Sequence, residues 1–166
     1  MLSLVELNGK KHSEMLISAI GNVLEEAEAL PRELAAIGVG VGPGSFTGIR
    51  VGLSTGMTIA QTAGIKVYGI SSLDLAGRNS RHPVIRAFRD KYYYACYDGS
   101  GKRQTPFMLI DEQEKEKLGC IPARVSAALI IEAAAQMCEA GVEGDWRRIE
   151  PVYVMDTVYR PGKKKF

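Results

Sequence analysis

Apolar positions set the first expectations. After residue 12, Leu16, Ile20, Val23, Leu24 and Ala27 recur at three- and four-residue spacing and share one face, which predicts a helix. Ser13 reads as its N-cap, with Glu14 favoured by the helix dipole. Before it, residues 2–7 alternate weakly as a short strand and residues 8–11 form a polar turn. Pro31 suits the first turn of a second short helix. Residues 36–41 read as a buried strand in which branched side chains alternate with Gly38 and Gly40, so something is expected to press closely on one face. A turn at 42–48, a helix over 49–63, a strand over 66–70 and a short helix from Ser71 follow.

The second half begins with a strand over 83–89, a turn at Asp90 and Lys91, and an aromatic strand over 92–97. A hairpin-like turn at 98–101 leads to an edge strand over 107–110. Residues 111–117 mix charges and read as a solvated face. A helix over 123–140, with Val125, Leu129, Ala133 and Met137 inward, is ended by Gly141. A last strand over 152–158 and a basic tail over 161–166 complete the pattern. The order predicts an α/β protein with a mixed, partly parallel sheet.

Composition narrows the class. The 166 residues suit one domain or two small lobes, and no apolar stretch reaches the ~20 residues of a membrane helix. The N-terminus has neither the basic start nor the long apolar core of a secretory signal. The net charge is +2, but Lys163, Lys164 and Lys165 supply three positives, so the body is nearly neutral and the case for a nucleic-acid footprint starts weak. Cys96, Cys120 and Cys138 are widely spaced, and His12 and His82 have no partner at ligand spacing. This argues against a zinc site and for reduced thiols in a cytoplasmic protein.

The densest signal runs from Gly42 to Gly52. It lacks the lysine of a P-loop, the third glycine of a dinucleotide fingerprint (Thr47 stands there) and the spacing of a nucleophile elbow around Ser45. The turn therefore reads as structural in preference to a phosphate cradle. In the helix behind it, Gly48, Gly52, Gly56 and Ala60 form one stripe. Each interior glycine costs about 1 kcal/mol relative to alanine, so a compensating close approach is required. Packing within the chain and a helix-on-helix interface with a second protein both satisfy that requirement.

The run Gly42-Pro43-Gly44-Ser45-Phe46-Thr47-Gly48-Ile49-Arg50-Val51-Gly52-Leu53 closely resembles the TsaB (YeaZ) family. The helix start Lys10-Lys11-His12-Ser13-Glu14, the strands over 86–97 and the segment Ile149-Glu150-Pro151-Val152-Tyr153-Val154 support the same order. The resemblance implies an actin-like (Hsp70-actin, RNase H-like) fold in two lobes, 1–80 and 81–166. It implies a non-catalytic partner of the TsaD ATPase in making threonylcarbamoyladenosine on tRNA, with TsaE as a further partner. ATP and metal are then expected on TsaD and no cofactor on this chain, with tRNA met only through the complex.

The family joins its partner through a bundle of the two helices begun here by His12 and Ser45. The implied interface is His12, Ser13, Leu16, Ile20, Ser45, Phe46, Gly48, Ile49, Gly52, Leu53, Gly56 and Ala60. Without a partner, two copies are expected to pair through the same face as a homodimer. The family opens with two further strands, the first carrying the phosphate-binding turn, and this chain starts at what reads as the third. The stretch between Ile110 and Ala123 is also short. Two other readings stay open: a kinase of the actin-like class using Asp74, Asp90 or Asp98, and RNA stacking on Tyr92, Tyr93, Tyr94 and Tyr97 with help from the tail lysines.

Overall fold

The computed structural model describes residues 12–154. The strand expected over 2–7, the turn after it, the side chains of His12 and Ser13, and the tail lie outside the described residues. Helix α1 (His12–Glu26) leads through a short 3-10 turn at Pro31–Glu33 into strand β1 (Ala36–Gly42). Helix α2 (Phe46–Ala63), strand β2 (Lys66–Ser71) and helix α3 (Ser72–Gly77) follow. β1 and β2 pair in parallel, from Ala36 opposite Lys66 to Gly40 opposite Ile70.

This small sheet is covered on both faces, and the alternation in β1 decides by what. Val39 and Val41 join Leu53 and Ala60 of α2 and Val67 of β2 in one buried cluster. Gly38 faces the other way. A Cβ there would lie 2.9 Å from Ile130 Cγ2 and 3.0 Å from Ala134 Cβ, so helix α5 (Ala127–Glu139) sits directly on the backbone. The close approach expected at Gly38 is thus filled from within the chain. Tyr68 and Ile70 complete that second core with Leu75, Ala133 and Ala134.

The second sheet has the order β5-β4-β3-β6. Strands β3 (Pro83–Arg86) and β4 (Lys91–Tyr94) are antiparallel, as are β4 and β5 (Met108–Asp111). β6 (Ile121–Pro122) runs parallel to β3 along its outer side. Helix α4 (Glu112–Lys117) has a reciprocal cap: Asp111 accepts from the Glu114 amide and Glu114 from the Asp111 amide.

Several boundaries differ from expectation for local reasons. α2 starts at Phe46, three residues early, because the Ser45 hydroxyl accepts from the Gly48 amide and caps it there. β3 stops at Arg86 because the turn comes sooner, with the Lys91 amide on the Phe88 carbonyl and Arg89 at φ 53°. β4 stops at Tyr94, since the Cys96 amide turns to the Thr105 hydroxyl. α5 starts at Ala127 rather than Ala123, because the Ala123 amide still bonds the Val84 carbonyl. Ala27 lies beyond α1 and is exposed. Residues 151–154 form no strand.

The two sheets follow one another in the chain, but the packing does not divide at residue 80. α5 and the 3-10 turn at Trp146–Arg148 return to the first sheet, where Trp146, Ile149 and Val152 pack on the cluster of β1, β2 and α2.

Candidate functional site

The turn leaving β1 sets up the exposed end of α2. Gly42 has φ +99°, and a Cβ there would lie 2.7 Å from Ile49 Cδ1, so both backbone angle and space call for glycine. Pro43, joined to it by a cis peptide, is fully buried. The Val41 carbonyl then accepts from the Val152 amide at 2.8 Å, which ties the end of the described chain beneath the start of α2.

That tie brings Tyr153 beside Phe46 and Arg50. The two rings have centroids 5.4 Å apart. The Arg50 guanidinium lies 4.0 Å from the Phe46 ring centre and 5.8 Å from that of Tyr153, and its Nε donates to the Tyr153 hydroxyl at 3.0 Å. Cation–π contacts of this exposed kind contribute about 0.5–1 kcal/mol each, enough to hold the long side chain in one posture. Phe46 is 53% exposed and Tyr153 45%. On α1, Met15 and Ile17 are exposed as well.

The residues expected at an interface separate into three groups. Ser45, Phe46 and Gly48 are exposed. Leu16, Ile20, Ile49 and Gly52 are half-buried. Leu53, Gly56 and Ala60 are buried inside the chain, and this corrects the expectation that the stripe as a whole faces a partner. A Cβ on Gly56 would lie 2.7 Å from Val39 Cγ2, so this part of the stripe serves close approach to the chain's own sheet.

Arg50, Tyr153, Met15 and Ile17 were absent from the expected site. Arg50 could have been found, since it stands one turn after Phe46, at the spacing where helical side chains meet. Nothing local connects Tyr153, which is 103 positions away from Arg50.

Two of the acidic residues considered for phosphate chemistry, Asp74 and Asp98, are otherwise engaged. Asp74 accepts from the Tyr97 hydroxyl at 2.7 Å and pairs with Arg103 at 3.3 Å. Burial first, and then this bond to Asp74, pushes the Tyr97 hydroxyl far above the ordinary phenol range. Asp98 holds its own turn by accepting from the amides of Ser100 and Lys102, and its hydrogen bond from the Ser100 side chain foremost holds its carboxyl below the usual range. Asp90 sits in the turn between β3 and β4. Tyr94 hydrogen-bonds His82 Nδ1 at 2.9 Å and is buried, as is Tyr97, while Tyr92 donates to Glu112 at 2.5 Å. No cluster of three His, Cys, Asp or Glu side chains suited to a metal occurs among the described residues.

A cleft of about 570 Å³ lies at the opposite end of the first sheet, bordered by Gln61, Lys66, Glu143, Asp145, Trp146 and Arg147. Its charges are largely spent internally, Arg147 on Asp145 at 3.4 Å and Glu143 on Arg148 at 2.6 Å. Open α/β sheets bind ligands at the carboxyl ends of their strands, which is the end where Phe46 and Arg50 stand and not the end of this cleft.

Residues 6–99 match the family described as TsaD: tRNA N6-adenosine threonylcarbamoyltransferase. The chain is 33% identical over 94 residues to the tRNA threonylcarbamoyladenosine biosynthesis protein TsaB of Bacillus subtilis, covering 53% of this chain and 41% of that one. It is 29% identical over 68 residues to the Escherichia coli protein of the same name, covering 41% and 29%. The chain thus spans less than half the length of these curated relatives. YeaZ from Pseudomonas aeruginosa shares its fold, with a TM-score of 0.71 at 17% identity over 89% of this chain and 87% of that one. No helix among the described residues is long and apolar enough to cross a membrane. With the matched segment covering more than half the sequence and the glycine turn at its centre, the chain belongs to the TsaD family, with relatives named TsaB and the fold of YeaZ.

Proposed function

We propose that this chain is a non-catalytic subunit for threonylcarbamoyladenosine synthesis on tRNA, docking on a TsaD-type ATPase through α1 and the exposed start of α2. The observation that carries this reading is the unburied apolar surface of the two helices: Met15 is 51% exposed, Ile17 62% and Phe46 53%. Among the described residues, no α1 side chain joins any of the four buried clusters. A helix with apolar residues outward and so little inward is suited to a partner.

In this reading ATP and metal belong to the TsaD-type protein, TsaE joins the assembly, and tRNA is met through the complex in the cytoplasm. Alone, two copies pair through the same face. The engagement of Asp74 by Tyr97 and Arg103 weighs against the kinase alternative.

Size-exclusion chromatography with the TsaD relative of the same organism tests the reading. A one-to-one complex is expected, lost in Ile17→Asp and Phe46→Asp while both variants keep the circular dichroism of the parent. Absence of any complex at micromolar concentrations would refute it, as would tight one-to-one binding of ATP and magnesium by the lone chain in isothermal titration.

A further inference from the structure

Arg50 is the one charged residue of α2, and α1 offers Glu14, Glu25 and Glu26 but no lysine or arginine. Among the described residues no carboxylate pairs with it. Among the described residues its one hydrogen bond is from Nε to the Tyr153 hydroxyl, and neither Nη nitrogen has a partner there. The side chain is nevertheless fixed, with Phe46 at 4.0 Å on its face and Tyr153 at its edge. A guanidinium already held in place loses less side-chain entropy on binding, and two parallel Nη donors match the two oxygens of a carboxylate.

We infer that Arg50 is the charge-reading residue of the docking face and takes a carboxylate side chain of the partner protein in a two-pronged pair. The inference rests on the proposed docking to a TsaD-type partner and names the chemistry that the partner must present. Surroundings favour a protein carboxylate over a nucleic-acid phosphate. A phosphate backbone is met by several cations along a track, whereas neither helix carries a second one. Exposed Phe46 and Tyr153 flank the guanidinium and would exclude water once a partner closes over them, which strengthens a single ion pair. Arginine ringed by aromatic side chains is a frequent centre of binding energy in protein interfaces.

Isothermal titration of the TsaD relative against the parent chain, Arg50→Met and Arg50→Lys tests this. Methionine keeps the aliphatic stem over Phe46 but removes the fork, and a loss of affinity of about tenfold or more is expected. Lysine should restore only part of that loss, since it keeps the charge without the paired donors. Raising salt from about 50 to about 500 mM should weaken the parent complex and leave the Arg50→Met complex much less affected. Thermal melting of both variants serves as the folding control.

If the parent binds and Arg50→Met binds within about twofold of it, the docking reading stands and the role of Arg50 is overturned. If Arg50→Met leaves partner binding intact but lowers the affinity of the complex for tRNA, the guanidinium serves RNA and the inference is equally overturned. If the parent does not bind at all, the docking reading falls and takes the inference with it.

Discussion

Two glycines four residues apart on α2 meet opposite circumstances. A methyl group at Gly56 would lie 2.7 Å from Val39 Cγ2, whereas at Gly52 it would lie 3.9 Å from Val39 Cγ1, an ordinary contact. Gly56→Leu should therefore destabilise the fold by about 1–3 kcal/mol through overpacking. Gly52→Ala should stabilise it by up to about 1 kcal/mol through helix propensity. Denaturant unfolding of both checks this, and similar values for the two would contradict the packing assigned to the stripe.

The buried tyrosines supply a pH-dependent counterpart. Burial foremost, with the neighbouring Cys96 and Cys120 thiols, pushes Tyr94 up to about 12. Tyr68 and Tyr97 are also raised, again chiefly by burial. An unfolded tyrosine releases its proton near ~10. Between that value and the folded one, the native chain holds protons that the unfolded chain has lost. The stabilisation is complete below about pH 10 and is lost as pH rises through about 12. Stability should fall by at most about 1.4 kcal/mol per pH unit for each such tyrosine in that window. Tyr94→Phe should make the decline shallower in urea titrations; an unchanged slope would assign it to Tyr68 and Tyr97 alone.

Helices and strands were legible where a pattern could accumulate. α2 has a long periodic run with a capping serine, and β1 has a strict alternation of valine and glycine, so both emerge from the residues alone. β6 has only two residues, one of them proline, and its existence depends on β3 lying beside it. α4 is visible only through its reciprocal cap, because its residues are almost all charged. The glycine stripe marked a close approach but not its direction, since spacing is the same whether a sheet or a partner helix lies against it. α1 shows the limit from the other side: its apolar face is clear, yet its side chains join no buried cluster among the described residues. Its amides should exchange with deuterium faster than those of α2 and β1. Equal protection in the isolated chain would mean that α1 is covered already.

At the level of the whole molecule, the chain folds back on its beginning. α5 lies on Gly38 of β1, and residues 149–153 pass beneath the start of α2 to reach Val41 and Arg50. Local patterns cannot express such a return, which is why the division at residue 80 describes the order of the sheets better than their packing. It is also why Tyr153, unlike Phe46, had no place in the expected site.

The same return has a consequence for synthesis. The residues of α2 and its capping Ser45 are made early, but Arg50 has no Tyr153 to lean on until another 103 positions have been added. A prematurely terminated chain would display the same helix with an arginine free to swing. A partner that grips the braced guanidinium would then favour chains that reach Tyr153 over chains that stop short of it.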